Sequence, residues 1–268
     1  MQNLSKPGRW WHWLPARLSL RALMILVLIM GGALGWIVRS AQVQREAVAA
    51  IQKAGGRVWY EPWDYKNGRP IRGGKPWWPK WLVGLVGVDY FGTVRLVLHR
   101  GKGSDGELAQ IGRLTGLREL NLSLTSVSDA GLAHLKRLTG LTWMQLDLQE
   151  SAVTDAGLAH IRKVPGIQQL DLTGTMVSDA GLAQLRGLTG LQDLILNGTK
   201  VTGAGMTHLS GLTGLRCLSL RDSAVNDTGL KHLEGLVGLK ELDLGGTSVS
   251  DSGVRQLQRA ISKVTVRR

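Results

Sequence analysis

Cysteine occurs once in this chain, at Cys217, so no intramolecular disulfide can form and a cysteine-based zinc site is out of reach. Phenylalanine also occurs once, and tyrosine three times. Tryptophan is plentiful, with ten copies, but all except Trp143 fall within the first 81 residues. Any core beyond Gly92 must therefore be aliphatic. Acidic residues are scarce at the same end: residues 1 to 91 hold four Asp or Glu against thirteen Lys or Arg, leaving sixteen against twenty in the rest. The surplus of +13 belongs mainly to the N-terminal third. What remains on the longer C-terminal part is too thin for a phosphate-binding stripe, so no nucleic acid partner is expected.

Charge is missing altogether from Ala22 to Val38, "ALMILVLIMGGALGWIV". Seventeen residues at ~1.5 Å each make about 26 Å, slightly short of a ~30 Å hydrocarbon core. Leu18, Ser19 and Leu20 make up the difference if Arg21 snorkels. Trp10, Trp11 and Trp13 before the run and Trp36 near its end suit the two water interfaces. Lys6, Arg9, Arg17 and Arg21 precede it with no acidic residue among them. The positive-inside rule then leaves the N-terminus in the cytoplasm and the remainder outside, a single-pass protein of the cell (inner) membrane. A signal peptide cleaved near Ser40 shares the basic start and apolar run and would give a secreted protein; the length of the run favours a retained anchor.

Helix-forming residues continue to the Gly55-Gly56 stop, with Val43, Ala47, Ala50 and Ile51 on one stripe. The expected organisation is a basic, Trp-rich cytoplasmic segment (1–17), a transmembrane helix running into a juxtamembrane helix (18–54), a capping or linker segment (55–91) and a repeat domain (92–268). A short strand is expected over Arg57–Tyr60. Trp77, Trp78 and Trp81 are expected to cover the open end of the repeats.

The repeats are explicit. "TSVSDAGLAHL" from Thr125 returns as "SAVTDAGLAHI" from Ser151, "TMVSDAGLAQL" from Thr175, "TKVTGAGMTHL" from Thr199, "SAVNDTGLKHL" from Ser223 and "TSVSDSGVRQL" from Thr247. The period is 24, with one spacing of 26 between Gly140 and Gly166, and a degenerate copy from Val94 makes seven turns. Periods in the twenties with this leucine pattern indicate a solenoid. One copy has too little apolar surface to fold alone, so stacking makes the core. "ELNLS" at Glu119 alternates as a short strand that must pair in parallel with its equivalents. Thr125, Ser151, Thr175, Thr199, Ser223 and Thr247 form a column whose hydroxyls can satisfy backbone groups inside the turns. Ser128, Thr154, Ser178, Thr202, Asn226 and Ser250 are N-cap residues, followed by Asp in every copy except at Gly203, where a weaker helix start is expected. The two-residue insertion of the second full copy should bulge from the loop before its strand. The basic "RQLQRAISKVTVRR" at the C-terminus should close one end and residues 57–91 the other.

These residues carry a resemblance to leucine-rich repeat proteins over about residues 92 to 262. "V-[ST]-D-x-G-L-x-x-L" is most similar to the subclass in F-box-type repeat proteins, which usually have Cys where this chain has Thr or Ser. Nothing like an F-box precedes the repeats, so the ubiquitin-ligase role is not carried over, and the apolar run counts against a cytosolic adaptor. The whole layout, including "AVAAIQKAGGRVWYE" and "GVDYFGTV", resembles membrane-anchored repeat proteins of planctomycete-type bacteria. The implied fold is an α/β leucine-rich repeat solenoid, short parallel strands on the concave face and short helices on the convex face, preceded by one transmembrane helix.

Strand residues that point away from the core would line the concave face. From the first turn these are Arg95, Val97 and His99. The candidate binding residues are Glu119, Asn121, Gln145, Asp147, Gln169, Asp171, Asp193, Asn197, Arg221, Glu241 and Asp243. With Arg95 and Arg221 as the cations of that face, it repels phosphate and suits a basic or hydroxyl-rich partner, either another protein or a cell-envelope polymer. His134, His160, His208 and His232 share one helical position with Gln184 and Gln256. The glutamines argue for a structural polar role over a metal site. No nucleophile elbow, phosphate loop or carboxylate pair stands apart from the repeat, so neither catalysis nor a cofactor is expected. The oligomeric state is left open.

Overall fold

A computed structural model describes residues 20–61, 65–66, 69–70, 93–98, 103–114, 116–138, 144–164 and 166–268. Outside these lie the tryptophans of the N-terminal segment, Trp77, Trp78 and Trp81, His99, and the insertion before the second full strand.

The repeat builds one ladder. Seven strands, β4 (Thr93–Leu98), β5 (Glu119–Asn121), β6 (Met144–Asp147), β7 (Ile167–Asp171), β8 (Asp193–Ile195), β9 (Cys217–Ser219) and β10 (Glu241–Asp243), pair in parallel in chain order. An eighth, β11 (Thr265–Arg267), extends the ladder at the C-terminus, and β1 (Arg57–Glu61) pairs antiparallel with β4 at the other end. The two-stranded β2 (Tyr65–Lys66) and β3 (Arg69–Pro70) form a separate hairpin. Parallel neighbours require a crossover, and every turn except the one between β8 and β9 supplies a short α-helix: α2 (Asp105–Ile111), α3 (Asp129–Leu132), α4 (Asp155–Ile161), α5 (Asp179–Leu185), α6 (Asp227–Leu230) and α7 (Asp251–Ala260). The fold is thus an α/β solenoid.

One aliphatic core runs its length. Leu120, Leu146, Leu170, Leu194, Leu218 and Leu242 stand in register across the strands, all buried. Val127 and its equivalents Val153, Val177, Val201, Val225 and Val249 back them. The hydroxyl column behaves as its chemistry requires. Thr125 Oγ1 donates to the Leu122 carbonyl at 2.6 Å, and Ser151, Thr175, Thr199, Ser223 and Thr247 repeat the bond three residues back in their own turns. The hydroxyl, itself brought inside the turn, thereby finds an acceptor in each of these six turns. The residue just before each hydroxyl is left-handed, and in three turns it is not glycine: Leu124, Glu150 and Asp222.

The N-caps hold as well, each of the six accepting from a backbone N–H inside its own turn. The aspartate that follows reaches further than the helix end. Asp105, Asp129, Asp155, Asp179 and Asp227 each accept two bonds from the N-cap of the next turn. The cap's N–H lies at 2.7–2.8 Å and its hydroxyl at 2.5–2.6 Å. This clamp explains the glycine of D-x-G. A Cβ on Gly131, Gly157, Gly181, Gly205 or Gly253 would come within 2.2–2.4 Å of the clamping carboxylate. Where Gly203 replaces the aspartate, the following segment Ala204–His208 is a 3-10 helix, the weaker start that the sequence predicts.

The first turn departs from expectation. Tyr60 pairs with Val94 and Trp59 with Leu96, so Arg95 is an extra residue, a β-bulge in β4. The bulge shifts the frame by one, and Val97 rather than Leu96 stands in register with Leu120. Val97 is fully buried, as is Val94, so the placement of Val97 on the concave face is corrected.

The N-terminal helix α1 (Leu20–Lys53) is continuous through 34 residues. By length and composition it can cross a membrane, a test that a signal sequence also passes. Its two halves meet different surroundings. The large apolar residues from Met24 to Ile37 are exposed, whereas Ala41, Ala47, Val48 and Ile51 are buried, the last three in the core of the solenoid. Gln44 Oε1 accepts from the Val94 N–H at 3.3 Å, and Glu46 pairs with Arg113 at 3.2 Å. The C-terminal half of α1 therefore closes the first turn together with β1.

Candidate interaction surface

Each short strand shows the core one leucine and turns the residues on either side of it outward. Parallel pairing stacks these into two columns at the ~4.8 Å strand spacing. The first column runs Glu119, Gln145, Gln169, Asp193, Cys217, Glu241 and Thr265; the second runs Asn121, Asp147, Asp171, Ile195, Ser219, Asp243 and Arg267. Between β6 and β11 they line a groove of about 330 Å³. Among the described residues it carries Asp147, Asp171, Asp193, Glu241 and Asp243 against the guanidinium of Arg267.

Hydrogen bonds within the face orient its carboxylates. Asp171 Oδ1 accepts from the Thr173 N–H at 2.9 Å and from its hydroxyl at 2.6 Å. Asp147 and Asp243 take the equivalent backbone bond from Gln149 and Gly245, each at 3.0 Å. Asn121 Nδ2 donates to Asp147 at 2.5 Å, and Gln169 Nε2 to Asp193 at 2.7 Å. Asn197 accepts from Ser219 and from the Arg221 N–H. These bonds hold the side chains in place without cancelling their charge. Cys217 reports the resulting field: burial, a hydrogen bond to Asp193 and the negative charges of Asp193 and Glu241 push its thiol up to about 11, with Lys240 opposing.

The candidate residues fall into place by register. Gln145, Asp147, Gln169, Asp171, Asp193, Glu241 and Asp243 line the groove together. Glu119 and Asn121 extend the columns beyond its N-terminal end. Asn197 and Arg221 lie just past their strands, where Arg221 contacts Asp243 at 3.5 Å. Sequence reasoning missed Arg267, which pairs with Glu241 at 3.2 Å. The signal was present, since Val266 follows Leu242 by 24 residues and stands in its register. On the convex side, Arg186 donates to His208 Nδ1 at 3.1 Å. Among the described residues no group of three His, Cys, Asp or Glu could hold a metal ion.

No protein-family model matches the chain, and no curated protein does. Among solved structures it is similar to internalin C2 of Listeria monocytogenes, at 21% identity over 82% of this chain and 80% of that one, with a TM-score of 0.50. A second internalin from the same organism matches at 19% identity with a TM-score of 0.40, over 59% of this chain and 49% of its own. The likeness to internalin C2 concerns the fold alone: a solenoid of short repeats stacked on one parallel ladder.

Proposed function

We propose that this chain is a non-enzymatic leucine-rich repeat protein, anchored by α1 in the cell membrane with its N-terminus in the cytoplasm. Its concave groove, presented outside the cytoplasm, binds a protein or cell-envelope polymer that offers cationic or hydroxyl groups. The observation that carries the reading is the pair Asp147 and Asp171. They stand directly in register on adjacent strands, where like charges cost stability, and Arg267 is the one cation among the described residues that line the groove. A cationic partner would relieve that repulsion on binding. Changing Asp147, Asp171 and Asp243 to Lys tests it, with partners captured by the intact chain compared before and after. An unchanged set of partners would overturn the role of the groove. Protease treatment of spheroplasts carrying a C-terminal tag, followed by carbonate extraction, tests the topology: the tag should be lost from a carbonate-resistant protein.

One observation favours a secreted form as a second reading. Burial on α1 begins at Ala41, so cleavage near Ser40 would remove the exposed apolar half and keep the docked half. Sequencing the mature N-terminus separates the two forms.

A further inference from the structure

A second cleft, of about 370 Å³, lies where the exposed half of α1 meets the solenoid, and Trp36, Arg39, Ser40, Val43, Arg113 and Leu114 line it. Trp36, Arg39, Ser40 and Val43 are spaced i, i+3, i+4 and i+7, so they share one helical face. Ala47, on the same face one turn further, is buried against the core. Across the cleft, Arg113 is held in position by Gln110 at 2.9 Å and Glu46 at 3.2 Å. Arg39 is exposed and has no ion-pair partner among the described residues.

We infer that this cleft binds the phosphate headgroup of an anionic phospholipid in the outer leaflet, a site that rests on the membrane-anchored reading of α1. Geometry and chemistry converge on that ligand. The uncharged run ends at Val38, so Trp36 and Arg39 stand at the depth of the headgroups, where indole rings settle and guanidinium groups meet phosphate. Arg113 comes from the solenoid, so one phosphate between it and Arg39 bridges the anchor to the repeat domain. The exposed side chains from Met24 to Ile37 give the acyl chains an apolar path leading to the cleft. The volume lies within the range of small-molecule sites, and Val43 and Leu114 provide the apolar wall that a glycerol backbone needs.

The test uses the full chain purified in detergent and titrated with phosphatidylglycerol or phosphatidylcholine, with bound lipid counted by native mass spectrometry. One phosphatidylglycerol should be retained in preference to phosphatidylcholine. Arg39→Gln should weaken it about fivefold, and Arg39→Gln with Arg113→Gln by more, since each basic side chain near an anionic surface is worth a factor of that order. Arg137→Gln, an exposed arginine outside the cleft, should leave retention unchanged. Because Arg113 also ties α1 to the first turn, the Arg39 variant alone decides the matter if the double variant melts lower. Equal retention of both lipids, or of phosphatidylglycerol by wild type and Arg39→Gln alike, overturns the site. Displacement of the lipid by excess inorganic phosphate alone would mark a free-anion site and overturn the lipid assignment too. Carbonate extraction of the same chain from membranes separates the two failures: a resistant protein without lipid preference refutes only the site, whereas an extractable one refutes the anchor.

Discussion

Gly203 stands where the other described turns carry an aspartate, and Asn226 across the junction fills the space that carboxylate would need. A Cβ on Gly203 would lie 2.6 Å from Asn226 Oδ1 and 3.2 Å from the Gly229 backbone nitrogen. The two residues thus form a matched exception to the clamp. Gly203→Asp alone should destabilise the protein by about 1–2 kcal/mol through overpacking. Combined with Asn226→Ser it should recover at least ~1 kcal/mol of that loss, a coupling expected of residues in contact. Chemical denaturation of the three variants reads the difference, and additive effects would reject the matched pair.

The clamp predicts a second coupling, between Asp155 and Gly181. Asp155→Ala strips the acceptor from the Ser178 N–H and hydroxyl and should cost roughly 1–3 kcal/mol. Gly181→Ala forces a Cβ to within 2.4 Å of Asp155 Oδ1 and should also destabilise. With Asp155 already alanine, the same change should become neutral or stabilising, because alanine favours helix over glycine by up to ~1 kcal/mol. A double-mutant cycle on unfolding midpoints checks the change of sign.

Much of this was legible from the chain. The 24-residue period, with its one spacing of 26, places Leu120, Leu146 and Leu170 in one column from the sequence alone, and with them the outward residues on either side. The hydroxyl column and the N-caps followed from local chemistry. The misread features depend on stacking. Strict alternation in "VRLVL" turns Arg95 and Val97 outward together, and only pairing with β1 reveals the bulge at Arg95 that buries Val97. An aspartate after an N-cap reads as a helix-end charge, because nothing local says that the next turn's cap lies within bonding distance. Arg267 reads as part of a cap because Thr265–Arg267 lacks the leucines that mark the other strands.

Acid should loosen the C-terminal turns. Bonds from the Ser250 hydroxyl and N–H, assisted by Arg268 and Lys231, hold Asp227 below its ordinary value despite a partial opposing effect of burial. A folded-state value below the unfolded one, near ~3.9, makes the stabilisation fully present above about pH 4 and lost as pH falls through the folded value. Asp227→Asn should be less stable than wild type at neutral pH and flatter across the acid range. Denaturation midpoints from neutral pH down to about pH 3 test both.

Cys217 should be a slow thiol. With its value at about 11, little thiolate exists at neutral pH. Iodoacetamide should therefore label it at least about a hundredfold more slowly than an unperturbed cysteine. Asp193→Asn should speed labelling by removing both a hydrogen-bond acceptor and a charge. Labelling that stays equally slow in Asp193→Asn would leave burial as the whole cause and count against the negative charge.

Leu124 adopts φ of 59° with its side chain 53% exposed. Left-handed backbone costs a non-glycine residue roughly 1–2 kcal/mol, and little packing is lost here on truncation. Leu124→Gly should raise the melting temperature, whereas Gly174→Leu at the equivalent turn should lower it. Calorimetry of the two variants compares them directly.

The missing clamp at Gly203 also gives the molecule a direction of failure. A load applied between the two ends of the solenoid would pull through a row of junctions, most of them fastened by a carboxylate. The junction where Gly203 faces Gly229, backbone against backbone, lacks that fastening. The solenoid should part there first and shed its C-terminal turns, while the N-terminal turns stay seated on α1. A force-extension trace should show this as an early, smaller rip, with the turns after Gly203 released before those packed on α1.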